Sequence, residues 1–144
     1  MRISESTHLS VDREQAWSYL IDWERQSDWM KDASWVRVTS SSRTGVGTTI
    51  AVKTLIFGVP AFTEPIEVTA WEPPSRLGIR HGGPVAGQGS WTLEETADGC
   101  RFTWTEEVAV RVPLVGELVA RVYARFMRGL MRHSLASLKL RVEP

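Results

Sequence analysis

The sequence predicts an α+β fold in which a curved antiparallel sheet packs against one long C-terminal helix. Residues 113 to 140 carry apolar side chains at spacings of three and four, and no proline follows the first position. They therefore predict a single helix about 40 Å long. Most of the preceding chain has the composition of strands, and no segment has the pattern of a parallel crossover. A helix of this length needs a large apolar partner, which a sheet would supply.

The composition indicates a globular protein that does not act mainly on nucleic acid. The 144 residues are 42% hydrophobic and 24% charged, with zero net charge, which predicts one domain over residues 1–144. The single cysteine, Cys100, excludes an intramolecular disulfide and a multi-cysteine metal site. With no signal peptide or membrane-spanning run in the sequence, we expect a cytoplasmic protein. The absence of asparagine and the excess of arginine over lysine suggest a bacterial source.

The N-terminal segment predicts a strand followed by two short helices. Residues 2 to 10 alternate in polarity, as in a half-buried strand. Asp12, with Gln15 three positions later, resembles a capping box. Asp22 predicts a second cap that begins a short helix running through Met30. The apolar face changes at Asp22, which favours two helices over one continuous helix.

Six further strands are predicted, separated by residues that favour turns. Gly45 and Gly47 flank one turn, and Asp98 with Gly99 is a strong hairpin signal. The predicted strands are residues 35–39, 48–57, 62–71, 76–81, 87–95 and 100–110. Hairpin connections of this kind are typical of an antiparallel sheet.

The turns predict which side chains of neighbouring strands face each other. A turn at residues 72–75 gives the pairs Ala70–Leu77, Val68–Ile79 and Ile66–His81. A turn at residues 96–99 gives the pairs Trp91–Trp104 and Gly89–Glu106. Glu64 then lies diagonal to His81, on the face that also carries Glu106.

These pairs predict a polar row across the inner face of the sheet: Glu64, His81, a gap at Gly89, and Glu106. Carboxylates beside tryptophans and away from water would suit acid–base catalysis near neutral pH. The more ordinary interpretation is a solvated row at the mouth of the sheet, because carboxylates are seldom buried without a partner. A third interpretation is that the row orients a hydroxyl or carbonyl of a bound ligand without reacting.

The C-terminal helix has an apolar face and a basic face. Val119, Val122 and Phe126 recur on the apolar face, which Tyr123 and Met127 widen. The opposite face carries Arg121, Arg125, Arg128 and Arg132. The basic face is interpreted as a solvated surface paired with acids elsewhere, a patch for transient contact with an anionic membrane, or a partner site.

His133 lies on or beside the apolar face. It would either reach the interior as an acid or base, or interact with the last carbonyls of its helix. The three histidines have no metal-ligand spacing.

Four segments together resemble the START-like (SRPBCC) superfamily, in its polyketide cyclase/dehydrase and lipid-transport branch. They are AWSYLID at 16–22, GVGT at 45–48, VTAWEPP at 68–74 and GSWTL at 89–93. The resemblance covers essentially the whole chain. It implies a helix-grip fold, in which a seven-stranded antiparallel sheet wraps the long helix and encloses a cavity for an apolar ligand. It also implies that Trp23 and Trp29, on the short helices, border the cavity mouth, whereas Trp17 and Trp71 brace the core.

The resulting hypothesis is binding of a lipid, quinone or polyketide-like molecule in that cavity, without a cofactor or metal. Glu64, His81 and Glu106 would orient its polar end. The expected walls are Phe62, Ile66, Val68, Ile79, Trp91 and Trp104 from the sheet and Val119, Val122, Phe126 and Leu130 from the helix. The alternative is a polyketide cyclase, aromatase or dehydratase that uses Glu64, His81 and Glu106 as its acid–base residues.

A third hypothesis is a protein-interaction module with a vestigial cavity. In all three the predicted partners exclude nucleic acid and stable membrane insertion. The oligomeric state is left open between monomer and homodimer.

Overall fold

The computed structural model describes residues 1–83, 86–109 and 116–143. The strands are β1 (Arg2–Leu9), β2 (Ala33–Val38), β3 (Thr49–Ile56), β4 (Val59–Glu72), β5 (Arg76–His81), β6 (Gly87–Thr96) and β7 (Gly99–Val108). The helices are α1 (Arg13–Leu20), α2 (Gln26–Trp29) and α3 (Gly116–Val142), and a 3₁₀ turn at Trp23–Arg25 precedes α2. The element order matches the prediction from the sequence.

The seven strands form one antiparallel sheet in the order β1-β7-β6-β5-β4-β3-β2. Strands β2 to β7 pair in chain order, and β1 joins the sheet beside β7. The short helices therefore connect the two edge strands, and α3 packs against the inner face. This arrangement is the helix-grip fold, so the predicted fold class is confirmed.

The start of α1 is stabilised as predicted, whereas the second cap is not. Asp12 Oδ1 accepts a hydrogen bond from the Gln15 amide at 2.8 Å, as expected of an N-cap residue. Asp22 occupies the cap position of the 3₁₀ turn, but its side chain caps no backbone N–H. Its Oδ2 lies 3.4 Å from Arg25 Nε instead. Asp22 is therefore the N-cap residue by position, as predicted, but its carboxylate faces Arg25 and makes no capping hydrogen bond.

A bulge in β4 changes the predicted register at one end of the β4–β5 hairpin. Val68 pairs with Ile79, as predicted, but Ala70 pairs with Gly78 and not with Leu77. The extra β4 residue lies between Val68 and Ala70. A Cβ at position 78 would lie 3.0 Å from the Ala70 Cβ, so glycine there accommodates the displaced alanine. The pairs Ile66–His81, Trp91–Trp104 and Gly89–Glu106 are as predicted.

Helix α3 is anchored to the sheet through its C-terminal half. Met131, Ser134 and Leu138 are fully buried, and the Ser134 hydroxyl oxygen accepts a hydrogen bond from the Lys31 amide at 3.0 Å. The helix thus packs through a stripe that continues Met127 toward the C-terminus. The predicted first residue, Pro113, lies outside the described residues.

The basic face of α3 is solvent-exposed, and two of its arginines are paired. Arg132 Nε lies 3.1 Å from Glu5 Oε1 on β1. Arg121 Nη2 donates to Glu117 Oε1 at 2.7 Å within the helix. A solvated face paired in part with an acid elsewhere is therefore what the geometry supports. None of the helices within the described ranges is long and apolar enough to cross a membrane.

Candidate functional site

A pocket of about 150 Å³ lies between the inner face of the sheet and α3. This volume is comparable to an apolar cavity of about 150 Å³ that holds benzene. Most of its lining is apolar, and α3 contributes Tyr123, Phe126, Met127 and Leu130. Ile56 also lines the pocket and is 45% exposed, so the pocket reaches the surface at the end of β3.

The pocket has a polar end at which His81 joins two carboxylates from other strands. His81 Nδ1 lies 2.8 Å from Glu64 Oε1, and His81 Nε2 lies 2.8 Å from Glu106 Oε2. Both glutamates are buried, with residue exposures of 8% and 5%. The predicted polar row therefore exists as a hydrogen-bonded triad, and the interpretation as a solvated row is wrong.

The sheet geometry explains how one imidazole reaches both carboxylates. Strand β6 separates His81 on β5 from Glu106 on β7, and Gly89 is the β6 residue opposite Glu106. With no side chain at position 89, the Glu106 carboxylate can occupy that space. Trp104 Nε1 donates to Glu106 Oε1 at 2.8 Å, so each Glu106 oxygen has a donor.

The triad holds its histidine in the protonated form. Burial lowers the pKa of His81, but the hydrogen bonds and charges of Glu106 and Glu64 outweigh burial and raise this pKa to about 10. The imidazolium donates from both ring nitrogens. An imidazolium arranged in this way stabilises two buried carboxylates through charge and hydrogen bonds. It has no free nitrogen lone pair with which to act as a base.

Asp32, in the turn before β2, is a pocket residue that the sequence analysis missed. Its Oδ1 is buried without a hydrogen-bond partner among the described residues. Desolvation is the main reason that the pKa of Asp32 is raised to about 6, and the negative charges of Glu106 and Glu64 raise it further. A backbone hydrogen bond to Asp32 acts in the opposite direction and lowers the pKa. The hydroxyl of Thr54, which also lines the pocket, likewise lacks a partner in the described part of the chain. Asp32 follows no periodic pattern, so no sequence signal marked it.

Ten of the residues expected to contact a ligand line this pocket. They are Phe62, Glu64, Ile66, Ile79, His81, Trp91, Trp104, Glu106, Phe126 and Leu130. Val68 is fully buried but belongs to the core away from the pocket lining.

The placement of Val119 and Val122 on the inner face of α3 was wrong. Val122 is 63% exposed, Val119 is 36% exposed, and neither lines the pocket. Packing of the C-terminal half of α3 sets the rotation of the helix and directs Tyr123 and Met127 inward in their place. His133 is exposed, so it does not reach the interior.

The short helices and the β3–β4 hairpin complete the surroundings of the pocket. Trp23 lines it, whereas Trp29 is fully buried and packs against Trp91, with ring centroids 5.7 Å apart. At the surface, the exposed Phe57 ring contacts Phe126, with centroids 5.0 Å apart. Aromatic groups therefore lie both beneath the pocket and at its rim.

Tyr123 of α3 brings a phenol group to the pocket. Tyr123 lines the pocket, and burial, with Glu106, Asp32 and Glu64 nearby, raises its pKa to about 12. Its phenol is therefore neutral at physiological pH.

Within residues 1–83, 86–109 and 116–143, no group of three or more His, Cys, Asp or Glu residues is placed to hold a metal ion.

Comparison with protein families gives a match over nearly the whole chain. A family model described as "polyketide cyclase / dehydrase and lipid transport" matches residues 1–143. No curated protein matches this sequence.

Several solved structures share the fold at low sequence identity. TTHA0849 from Thermus thermophilus superposes with a TM-score of 0.81 at 16% identity, covering 99% of this chain and 97% of that chain. A START superfamily protein from Mycobacterium smegmatis has a TM-score of 0.80 at 13% identity, covering 98% of this chain and 96% of that chain. The di-domain ARO/CYC BexL from the BE-7585A biosynthetic pathway has a TM-score of 0.81 at 13% identity, covering 100% of this chain and 50% of that chain.

Proposed function

The chain belongs to the polyketide cyclase / dehydrase and lipid transport family, and on this premise we propose that it binds a hydrophobic small molecule between the sheet and α3. The START-like resemblance drawn from the four sequence segments is thereby confirmed. Family and fold together suggest either hydrophobic-ligand binding or polyketide cyclase activity. The binding proposal rests on the pocket.

The observation that carries the proposal is an apolar pocket with one polar end. Trp91, Ile79 and Phe126 line it, and their contact with an apolar ligand would contribute about 25 cal/mol per Å² of area removed from water. The Glu64–His81–Glu106 triad lies at a defined position in the wall and would orient the ligand. An open pocket of this kind is not the collapsed interior that an interaction module with a vestigial cavity would have.

Native mass spectrometry of freshly purified protein tests the proposal, followed by extraction and identification of any bound molecule. A co-purifying apolar molecule would support binding and identify its chemical class. A protein that is empty, and that also fails to bind lipids, quinones and polyketides, would contradict it.

A pair of tryptophan variants refines this test. Trp91→Ala removes a pocket wall, whereas Trp35→Ala removes a tryptophan outside the pocket lining, where the Arg37 guanidinium stacks 4.3 Å from the ring centroid. We expect Trp91→Ala to weaken ligand binding by about tenfold while Trp35→Ala leaves it unchanged. Equal effects of the two variants would place the ligand elsewhere.

A second candidate function is cyclisation or dehydration of a polyketide-like substrate, which the buried titratable groups favour. Asp32, with a pKa of about 6, can exchange a proton near neutral pH. His81 is a poor base because it is already protonated, with a pKa of about 10. In this proposal Asp32 transfers the proton and the triad positions the substrate. The ARO/CYC description of one structural neighbour is consistent with the idea.

The enzymatic proposal is tested by turnover of a poly-β-carbonyl substrate, followed through the absorbance of the aromatic product. We expect Asp32→Asn to lower kcat by at least about a hundredfold, and Asp28→Asn, an exposed control on α2, to leave it unchanged. If Asp32→Asn, Glu106→Gln and His81→Ala all leave turnover unaffected, the catalytic role is excluded.

A further inference from the structure

The inner wall of the pocket carries more negative than positive charge. The titratable groups that face it from the described residues are Asp32 before β2, Glu64 on β4, His81 on β5, Glu106 on β7 and Tyr123 on α3. Three of these are carboxyl groups, one is an imidazolium and one is a neutral phenol. Even with Asp32 protonated, the two glutamates outnumber the one cation.

The hydrogen bonds already made at this end leave a buried carboxylate oxygen unpartnered. Glu106 has a donor on each oxygen, and both nitrogens of His81 are used by the triad. The buried acceptor left without a partner in the described part of the chain is Asp32 Oδ1. Glu64 uses Oε1 for its hydrogen bond with His81, so its second oxygen is the next acceptor at this end. The buried Thr54 hydroxyl, also unpartnered, can donate or accept.

Buried acceptors without donors are costly, and a ligand that donates hydrogen bonds would relieve that cost. A carboxylate or phosphate would bring further negative charge to a wall that already has an excess of it, in a setting where charges are poorly screened. A cationic group would instead be attracted by the excess of negative charge in this wall.

We propose that the molecule bound in this pocket combines an apolar body with an amine head group, which donates to Asp32 and Glu64. The proposal deepens the binding function and rests on it. It separates the ligand from fatty acids and from phospholipids whose head groups have no amine, because their polar ends carry acceptors and negative charge.

Three ligands with the same naphthalene body test the proposal: 2-naphthylmethylamine, 2-naphthylmethanol and 2-naphthoate. Isothermal titration calorimetry at pH 7.5 should give the amine the highest affinity, the alcohol an intermediate one and the carboxylate the lowest. We expect the amine to bind at least about tenfold more tightly than the carboxylate. Equal or reversed affinities would overturn the amine proposal while leaving apolar binding intact.

Asp32→Asn gives a second, independent readout with the same three ligands. The variant should lower the affinity for the amine by about tenfold and change that for the alcohol much less. Asp28→Asn, which removes an exposed carboxylate outside the pocket lining, should change neither. If Asp32→Asn leaves amine binding unchanged, the proposed contact is wrong. If none of the three ligands binds to the wild-type protein, the amine inference fails, whereas the binding function is decided separately by native mass spectrometry and the panel of lipids, quinones and polyketides.

Discussion

Gly89 on β6 leaves the space that the Glu106 carboxylate occupies on β7. A Cβ placed at position 89 would lie 2.8 Å from Glu106 Oε1 and 3.0 Å from its Oε2. These are the oxygens that accept from Trp104 and His81. The glycine is therefore part of the polar site, although it contributes no functional group.

Gly89→Ala should destabilise the protein because the added methyl displaces a carboxylate held by two hydrogen bonds. We expect a loss of about 1–3 kcal/mol in the free energy of unfolding, measured by urea denaturation. Gly129→Ala is the control, since a Cβ there meets nothing within 4 Å and alanine favours the helix by about 1 kcal/mol. Equal stability of the two variants would show that Glu106 is not confined.

His81→Ala should strongly destabilise the fold near neutral pH because it leaves Glu64 and Glu106 buried without their cation. The expected loss is about 3–5 kcal/mol. The pKa of His81 is raised to about 10 from an ordinary value of 6.5. Its stabilising effect should therefore be complete below pH 6.5 and disappear as the pH rises through 10.

Urea unfolding of wild type and His81→Ala at pH 6, 8 and 10 measures this effect. The difference in unfolding free energy should be largest at pH 6 and smallest at pH 10. His8→Ala, which removes a partly exposed partner of Asp98, should show only a small difference. A constant gap for His81→Ala across this range would contradict a protonated His81.

Asp32→Asn should stabilise the protein at neutral pH. The pKa of Asp32 is raised to about 6 from 3.8, so folding is penalised when this group is ionised. The penalty is absent below pH 3.8, grows as the pH rises to 6, and is complete above it. We expect a gain of up to about 3 kcal/mol at pH 7.5 and none near pH 3.5. A less stable variant at pH 7.5 would contradict this electrostatic description.

The rotation of α3 about its axis determines which of its residues contribute to stability. Val122→Ser should change the unfolding free energy by less than about 0.5 kcal/mol because Val122 is 63% exposed. Met131→Ala should cost about 2–5 kcal/mol because Met131 is fully buried. Thermal or urea denaturation of the two variants checks this, and a larger effect at Val122 would reverse the assigned face.

The sequence predicted most of the sheet because its register follows from short hairpin turns. Pairing of Gly89 with Glu106 needed only the turn position and the alternation of strands. The β4–β5 hairpin starts with Glu72 opposite Arg76, one residue away from the predicted register, and the bulge beside Val68 restores the predicted pairing of Ile66 with His81. The same reasoning placed Glu64, His81 and Glu106 on one face, where the triad forms.

The remaining details depend on tertiary packing. The bulge beside Val68 inserts one residue that no turn position reveals. The rotation of α3 is set by Met131 and Leu138 in its C-terminal half, whereas Val119 and Val122, which appeared equally suited to the sheet, remain exposed. Asp32 lies in a short turn without periodicity, and its role depends on which groups the fold brings near it.

Intermolecular NOEs test most directly the proposal that an apolar ligand binds between the sheet and α3. With 2-naphthylmethanol added to methyl-labelled protein, the ligand protons should give NOEs to the methyl groups of Ile66, Ile79 and Met127, which line the pocket. NOEs confined to the exposed Leu118 and Leu140, or the absence of saturable binding, would contradict the account.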